Sequence, residues 1–308
     1  MNETSDPDRN FSLKNVLRGI TVFWKLQRQW PIIPALILLI LIVTGVFASS
    51  IAPYDPIKQN LRLRNAPPSL MQPEFYEEKS PDTQYLLGGD HVGRDIFSRL
   101  VHGARISLML SGVALITGIV VGVSLGLVSG FYGGLVDEII MRLVDVWFSL
   151  PFLLLAMVAT IVFGTSFNLV LGLLALLAWS GFVRNVRAEV LTLKERDYVS
   201  ISRICGASGT RIISRHLLPG VMNTVLVIAS LRVGNLILAE ASLSFLGAGI
   251  PSPTPAWGVM IAEAREYVQV AWWGTVFPGL AILLIVMSLN FLGDWIRDRL
   301  DPQLRQQI

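Results

Sequence analysis

The sequence has little charge and almost no cysteine. Charged residues occupy 15% of its 308 positions, against about 25% in soluble domains. Cys205 is the single cysteine, which excludes an internal disulfide and a thiolate metal cluster. The histidines are His91, His102 and His216, which lie far apart and form no H-E-x-x-H motif. Polar loop or interface roles are therefore favoured for them over metal ligation.

Two signatures of energy coupling are also missing. No Gly-Lys dipeptide occurs, so the chain has no Walker A loop and no ATP site of its own. The apolar segments contain no series of Asp, Glu and His of the kind that proton-coupled carriers use. Uphill transport by this chain would draw its energy from another subunit. The net charge of +3 is too small to indicate a nucleic-acid partner.

Apolar residues are abundant. They make up 53% of the chain, and the mean hydropathy of +0.59 is typical of an integral membrane protein. Continuous apolar runs of spanning length predict helices, because they lack the alternation of barrel strands. The six predicted spans are 32–51, 106–129, 146–164, 168–184, 221–245 and 275–293. The first is too long for a signal-peptide core, so we expect an uncleaved anchor.

Lysine and arginine indicate which side of the membrane each segment faces. They concentrate in residues 1–31, in the segment 185–220 after the fourth span, and in the tail 296–308. Six spans put all three on one side, and the positive-inside rule makes that side the cytoplasm. Residues 52–104 then form a long external loop.

Four glycines in the second span recur every four residues. Gly118, Gly122, Gly126 and Gly130 would share one helix face and let another helix approach closely. The same span contains Gly-Val-Ser-Leu-Gly around Ser124, formally the pattern of a nucleophile elbow. Because that motif requires a strand–turn–helix context, we interpret the glycines as a packing surface.

The fifth predicted span carries charge inside the membrane. Arg232 lies near its middle with Asn235 one turn away, and Glu240 lies nearer its outer end. A charge at this depth is costly and usually faces protein or water. Arg232 is either a paired interface residue or part of a polar pathway. For Glu240 an interface or gate role is favoured.

A polar stretch from Arg196 to Pro219 interrupts the apolar chain. Its first part predicts a short helix with Tyr198, Ile201 and Cys205 on one face. Asp197 at the start and Arg203 toward the end agree with the helix dipole.

Two glycines divide the polar stretch. Gly206 and Gly209 allow a turn or a close backbone approach. A second short helix follows, with Ile213 and Leu217 on one side and Arg211 and Arg215 nearby. Such helices either lie on the membrane surface or insert into a groove of a cytoplasmic protein, and periodicity does not separate these alternatives.

The Gly-Ala-Ser-Gly of this stretch resembles the nucleophile motif of rhomboid intramembrane proteases. Those enzymes need a histidine base from a later span. Here Ser208 lies between two arginines, and the one later histidine is His216. The protease interpretation is therefore disfavoured.

Several long strings resemble one family of membrane transporters. The polar stretch is similar to the cytoplasmic "EAA" loop of binding-protein-dependent ABC importer permeases, with Gly206 as its glycine and a Leu-Pro ending at Pro219. The chain resembles more closely the C-type permease of the dipeptide/oligopeptide/nickel importer family. The strings that carry this resemblance are LLGGDHVGRDIFSRLVHGARISL, MRLVDVWFSLP, RDYV, GAS, RIISRHLLP, EASLSFLGAGIP, WG and NFLGDWIRDRLDP.

The resemblance implies a permease subunit of the bacterial inner membrane with the type I (MetI-like) ABC importer fold, its transmembrane domain at 105–295. It implies a heterodimer with a B-type permease, two cytoplasmic ATPases that bind ATP and Mg, and an extracytoplasmic solute-binding protein. The chain itself would hold no cofactor and would not be an enzyme. Di- and oligopeptides are the expected cargo, with nickel complexes, glutathione-like peptides and oligosaccharides as alternatives.

The resemblance also implies an ATPase-docking loop at 185–220. Its expected residues are Asp197, Tyr198, Ser200, Ile201, Arg203, Gly206, Ala207, Ser208, Arg211, Arg215, His216 and Pro219. This chain departs from the family pattern where Glu-Ala-Ala falls on Ser200, Ile201 and Ser202. It departs again at Gly89, where a threonine is usual.

Overall fold

The computed structural model describes residues 31–80 and 82–300. Their regular structure is helical apart from one isolated β-bridge between Gly89 and Asp95, which confirms the predicted all-α class. The α-helices of the described residues are α1 (Ile32–Val46), α2 (Ala48–Ile51), α3 (Pro73–Lys79), α4 (Ile96–Tyr132), α5 (Gly134–Ser149), α6 (Phe152–Phe163), α7 (Phe167–Leu193), α8 (Asp197–Ile204), α9 (Gly209–Ile212), α10 (Leu218–Phe245), α11 (Trp257–Ala264) and α12 (Trp273–Leu300).

Short helices of other types complete the list. The described residues include 3-10 turns at Leu61–Leu63 and Arg265–Tyr267, and a π-helix, Ile213–Leu217, between α9 and α10. Most of the predicted segment 1–31 and the end of the predicted tail 296–308 lie outside the described residues.

The prediction of six uninterrupted spans is corrected by the structure. Four helices of the described residues are long and apolar enough to cross a membrane: α4, α7, α12 and the continuous helix Gly209–Phe245. A fifth span exists if α5 and α6 are counted together, although they are bent by 83°. Helix α1 has 15 residues and rises about 22 Å, less than the roughly 30 Å of a hydrocarbon core. Helix α2 extends it through the rest of the predicted first span.

The third predicted span, 146–164, is wrong as a single helix. Apolar composition continues through it, but Pro151 has no N–H to donate and disfavours helical geometry at the residue before it. Leu150 is accordingly extended, so α5 ends at Ser149 and α6 begins at Phe152. The sequence predicted one helix here because hydropathy measures apolar composition and does not detect a break in the backbone.

Two ion pairs hold α5 against α7. Arg187 Nη2 lies 2.6 Å from Asp137 Oδ2, and Arg184 Nη2 lies 2.8 Å from Asp145 Oδ1. The Arg187 pair is partly buried, whereas the Arg184 pair is exposed. Because both acids belong to α5 and both bases to α7, the pairs fix the part of the bent segment that precedes the break.

Helices α4 and α7 pack closely along the row of glycines. A Cβ atom built on Gly122 would lie 2.5 Å from Phe182 Cβ and 2.5 Å from the carbonyl oxygen of Trp179. Gly118, Gly126 and Gly130 face α7 in the same manner. The row therefore brings two backbones together, as small residues do in membranes. Ser124 lies inside α4, without the strand–turn–helix setting of a nucleophile elbow.

Helix α4 extends beyond the predicted span at its N-terminal end. Asp95 caps it by accepting hydrogen bonds from the Ser98 N–H at 2.8 Å and the Ser98 hydroxyl at 2.6 Å. Burial raises the pKa of the Asp95 carboxyl. The 37 residues of α4 rise about 55 Å, so the helix joins the end of the bundle near residues 52–95 to the end that carries α8.

Residues 52–95 form a small folded unit on the bundle. Leu63, Ala66, Tyr76 and Tyr85 make its core, and the Tyr76 hydroxyl donates to the Pro67 carbonyl at 2.6 Å. Burial, together with the nearby Asp95 carboxylate, raises the pKa of Tyr85 to about 12. The Tyr85 hydroxyl therefore keeps its proton at ordinary pH and donates it to the Gly93 carbonyl at 3.0 Å.

Two tryptophans attach this unit and its neighbouring loop to the spanning helices. The indole of Trp273, at the start of α12, donates to the Gly89 carbonyl at 3.1 Å. The indole of Trp257, at the start of α11, donates to the Leu100 carbonyl of α4 at 2.9 Å. Both rings are buried among apolar residues, so these contacts combine packing with a satisfied N–H.

We expect Gly122→Ala to destabilise the protein by roughly 1–3 kcal/mol, because its methyl group overpacks the contact with α7. Gly112→Ala is the matched control in the same helix, since a Cβ at Gly112 meets nothing within 4 Å. Thermal unfolding in detergent compares the two variants with the parent. Equal melting temperatures for all three would contradict the close contact between α4 and α7.

Candidate functional site

Helix α8 ends in a turn that requires glycine. Gly206 has φ +79°, a region that costs other residues about 1 kcal/mol or more. Its N–H donates to the Arg203 carbonyl at 3.0 Å, and the Ala207 N–H donates to the Ser202 carbonyl at 3.0 Å. This pair of bonds is a Schellman motif, which satisfies the last carbonyls of the helix.

The next helix starts immediately after this turn. The Ser208 hydroxyl accepts a hydrogen bond from the Arg211 N–H at 3.4 Å and caps α9. Gly209 is the first residue of α9 and lies against the ring of Phe131 from α4. The four residues Gly-Ala-Ser-Gly therefore link one helix end directly to one helix start.

The predicted second short helix is not a separate element. Helix α9, the π-helix and α10 form one helix from Gly209 to Phe245. Pro219 would break a regular α-helix here, because it lacks an N–H and its ring crowds the preceding turn. The wider π turn accommodates it, with the Leu218 N–H bonded to the Ile213 carbonyl.

One face of α8 exposes large apolar side chains. Tyr198, Ile201 and Ile204 are 44%, 59% and 84% exposed, and Cys205 beside them is exposed as well. On the other side Val199 is fully buried and packs in one cluster with Ile212 and Leu217. Exposed apolar residues grouped on one element indicate a surface that binds protein or membrane.

The other expected docking residues surround this face. Arg203 lies over the ring of Phe131, with 6.0 Å from its guanidinium carbon to the ring centroid. Ala207 and His216 are partly buried, and the remaining predicted residues are exposed: Asp197, Ser200, Arg203, Gly206, Ser208, Arg211, Arg215 and Pro219.

A hydrogen bond joins α8 to the helix that follows it. The Ser202 hydroxyl lies 3.2 Å from His216 Nε2 and donates to the Tyr198 carbonyl at 2.7 Å. The Ser-Ile-Ser at 200–202 thus supplies a contact that an alanine in the third position lacks.

The same geometry bears on the protease interpretation. His216 contacts Ser202, whereas the Ser208 hydroxyl lies 3.2 Å from the Thr210 hydroxyl. His216 is therefore placed at Ser202 and not at Ser208, the serine of the Gly-Ala-Ser-Gly motif.

The predicted pathway residues of α10 occupy different surroundings. Asn235 is exposed, and Arg232 is partly buried at the middle of the helix. Glu240 is buried and accepts a hydrogen bond from the Ser244 hydroxyl at 2.7 Å, while its other oxygen has no partner among the described residues. Ser244 also accepts from the Ile250 N–H at 3.3 Å. Glu240 thus belongs to the packing of the segment after α10.

A family model described as "Binding-protein-dependent transport system inner membrane component" matches residues 118–306, more than half of the chain. The chain belongs to this family. It is 39% identical over 270 residues to a di/tripeptide transport permease of Pseudomonas aeruginosa, covering 88% of this chain and 87% of that protein. It is 38% identical to a dipeptide transport permease of Haemophilus influenzae, covering 98% of this chain and 100% of that protein.

A further similar protein is named for the transport of a different solute, glutathione. A glutathione transport permease of Escherichia coli is 40% identical over 289 residues, which are 92% of this chain and 90% of that protein. Among solved structures, a chain of the inward-facing MetNI methionine ABC transporter superposes with a TM-score of 0.53 at 20% identity. It covers 66% of this chain and 96% of its own length, and it establishes the MetI-like fold.

This transport-system component also contains a buried ion network that the sequence analysis missed. Glu263 Oε2 of α11 accepts from Arg94 Nη2 at 2.7 Å and from Arg99 Nη2 at 2.9 Å. Asp90 Oδ2 lies 2.5 Å from Arg94 Nε and 3.8 Å from Arg99 Nε. Both arginines are at most 2% exposed. Two carboxylates thus neutralise two guanidinium groups where residues 52–95 meet α4 and α11.

A metal site at this network is disfavoured by its charges. Ligand atoms of Asp90, His91 and Glu263 lie within 4.8 Å of one another, which is a spacing that a cation could bridge. Both carboxylates already bind Arg94 and Arg99, whose positive charges oppose a metal ion at the same place. The ring of His91 stacks on Tyr267 at 5.5 Å instead.

The local pattern Asp-His-Val-Gly-Arg-Asp contained part of the signal for this network. Asp90 and Arg94 are four residues apart, and both belong to a string that the sequence analysis quoted for its family resemblance. Glu263 lies 169 residues beyond Arg94, so that pairing is decided by tertiary structure.

We expect Glu263→Gln to destabilise the protein by about 3–5 kcal/mol, because it leaves two buried arginines with one carboxylate between them. Glu266→Gln is the control, since Glu266 is exposed three residues further on. Unfolding in detergent by heat or denaturant measures the difference. A Glu263→Gln variant as stable as the Glu266→Gln variant would show that the network contributes nothing to stability.

Proposed function

We propose that this family member is a permease subunit of an ATP-driven importer for di- and oligopeptides. The observation that carries the proposal is the extent of its similarity to peptide permeases, since 98% of the chain aligns with all of the dipeptide permease of Haemophilus influenzae. Glutathione is itself a small peptide, and the 40% identity to a glutathione permease makes it the second candidate cargo.

In this proposal the ATPase docks at the end of the bundle that carries α8. Helix α8, with Tyr198, Ile201 and Ile204 outward, inserts into a cleft of a cytoplasmic ATPase, in the manner of an amphipathic helix in a groove. In this proposal α1 and α2 together form a further span, so that both termini lie in the cytoplasm, as the distribution of lysine and arginine predicts. The ATPases bind ATP and Mg, and this chain catalyses no reaction.

The opposite end faces the solute-binding protein. Residues 52–95 and the segment around Glu263 form a surface fixed by the ion network, so a docked protein meets a rigid platform. A second, B-type permease completes the pathway between the two ends. The exposed apolar faces of the spanning helices are divided between this partner and lipid.

The connection between α8 and the spanning helix provides a route for mechanical coupling. Val199 packs with Ile212 and Leu217, and no loop separates Gly209 from Phe245. A displacement of α8 by the ATPase would therefore move the cytoplasmic half of this helix with it. Rigid elements coupled through such contacts are the usual means of domain closure.

Replacement of Gly206 by tryptophan tests the docking role against its own control. Gly206→Ala and Gly206→Trp share the strain of positive φ, and a Cβ there meets nothing within 4 Å. The tryptophan adds only bulk at the surface. We expect Gly206→Ala to retain co-purification with the ATPase subunits and Gly206→Trp to abolish it, together with uptake. Normal uptake by Gly206→Trp would rule out this docking mode.

A charge on the exposed face gives a second test of docking. Ile201→Asp puts a carboxylate where the proposal buries an apolar side chain, so we expect ATPase association to fall at least tenfold. Leu70→Asp is the control, because Leu70 is 79% exposed and belongs to residues 52–95 at the opposite end of the bundle. Association of both variants at the level of the parent would show that this face of α8 is free in the complex.

Substitution of Ser208 distinguishes a helix cap from a nucleophile. We expect Ser208→Ala to lower stability by about 1 kcal/mol through loss of the N-cap, with peptide uptake unchanged at the temperature of growth. Uptake and thermal unfolding are the two measurements. Complete loss of uptake in a stable, assembled Ser208→Ala complex would contradict a purely capping role and indicate that this hydroxyl takes part in chemistry.

A further inference from the structure

Arg232 is a cation at the middle of the membrane-spanning helix α10. It is the fifteenth residue of the 28 in α10. No carboxylate of residues 31–80 or 82–300 lies within ion-pair distance of its guanidinium, and no side chain among them hydrogen-bonds to it. A charge at this depth is costly unless a counter-charge or water compensates it. Water, or a group outside the described residues, therefore compensates this charge.

The guanidinium has a defined place in the structure. It lies against α7 at Gly181, where an added Cβ would be 1.8 Å from Arg232 Nη2. A glycine at this position is what gives the guanidinium room. The side chain of Arg232 thus reaches from α10 to the surface of α7.

Arg232 also lines a cavity at the break between α5 and α6. The cavity holds about 80 Å³ and is bounded by Trp147, Phe148, Phe152, Ser180 and Arg232, among others. That volume accepts several water molecules, or a carboxylate group in their place. Irregular backbone at membrane depth occurs where it is enclosed by protein or lines a cavity, and the extended Leu150 beside Pro151 meets this condition.

We propose that Arg232 binds a carboxylate of the transported peptide as it passes this cavity. A guanidinium presents two parallel N–H donors that match a carboxylate, and in a site of low polarity such a bond is strong. The aromatic rings of the cavity offer apolar contact to the adjoining part of the peptide. The inference deepens the proposed function, on which it rests, by assigning a substrate-binding residue to the pathway.

The test compares two probes that differ only in the carboxylate. Dialanine and its C-terminal amide are presented to the complete transporter in proteoliposomes, with the solute-binding protein saturated by each. We expect Arg232→Gln to reduce uptake of dialanine about tenfold, which corresponds to the loss of one charge-assisted hydrogen bond of roughly 1.4 kcal/mol. Uptake of the amide, which has no carboxylate to lose, should stay near the parent level.

Two further variants separate this effect from damage to the fold. Gly181→Ala keeps the charge but displaces the guanidinium, so it should lower the ratio of dialanine to amide uptake in the same direction. Arg142→Gln removes an arginine whose side chain is 78% exposed, and it should leave the ratio unchanged. Co-purification with the second permease reports assembly for every variant.

The outcomes are distinct. An unchanged ratio in an assembled, active Arg232→Gln complex overturns the inference. Equal loss of both probes, with loss of the second permease, assigns Arg232 to an ion pair between subunits and also overturns it. Failure of the unaltered complex to take up either probe overturns the proposed function, and the inference with it. A fall in the ratio of dialanine to amide uptake in both Arg232→Gln and Gly181→Ala supports the inference.

Discussion

The requirement that backbone polar groups be satisfied inside a bilayer governs most of this structure, because an unpaired N–H or C=O costs several kcal/mol there. Pro151 and Pro219 are accommodated in different ways. At Pro151 the helix breaks and the chain bends by 83° between α5 and α6. At Pro219 the helix continues, because the wider π turn before it accommodates a residue that has no N–H to donate. The break at Pro151 borders the cavity that Arg232 lines, whereas the helix that contains Pro219 stays continuous.

The continuous helix from Gly209 to Phe245 connects the two features with the clearest functional meaning. At its start lies the turn of Gly206, beside the exposed apolar face of α8. At the middle of its membrane-spanning part, α10, lies Arg232. If α8 docks on an ATPase as we propose, a movement imposed on it would be transmitted along the helix that carries Arg232. The row of glycines holds α4 and α7 together beside this helix.

Charge is sparse in this chain, and the structure uses it at helix junctions. At one end Glu263 and Asp90 bind two buried arginines and join residues 52–95 to α4 and α11. On the bent segment, Asp137 and Asp145 hold α5 to α7. Buried pairs of this kind add little net stability compared with apolar packing, but breaking one is costly. They therefore specify which elements meet, and Arg232 stands apart because none of the carboxylates in residues 31–80 and 82–300 pairs with it.

The sequence by itself determined the all-helical membrane class, the four-residue spacing of glycines on α4, and the turn at Gly206, because periodicity, apolar composition and a glycine in a polar stretch are local properties. Tertiary structure alone decided the others. Hydropathy hid the break at Pro151, and periodicity predicted a separate second short helix where α9, the π-helix and α10 are continuous. The pairing of Glu263 with Arg94 and the contact of His216 with Ser202 also needed the fold. Each depends on how distant or successive helices approach, and that is set by packing and backbone hydrogen bonds.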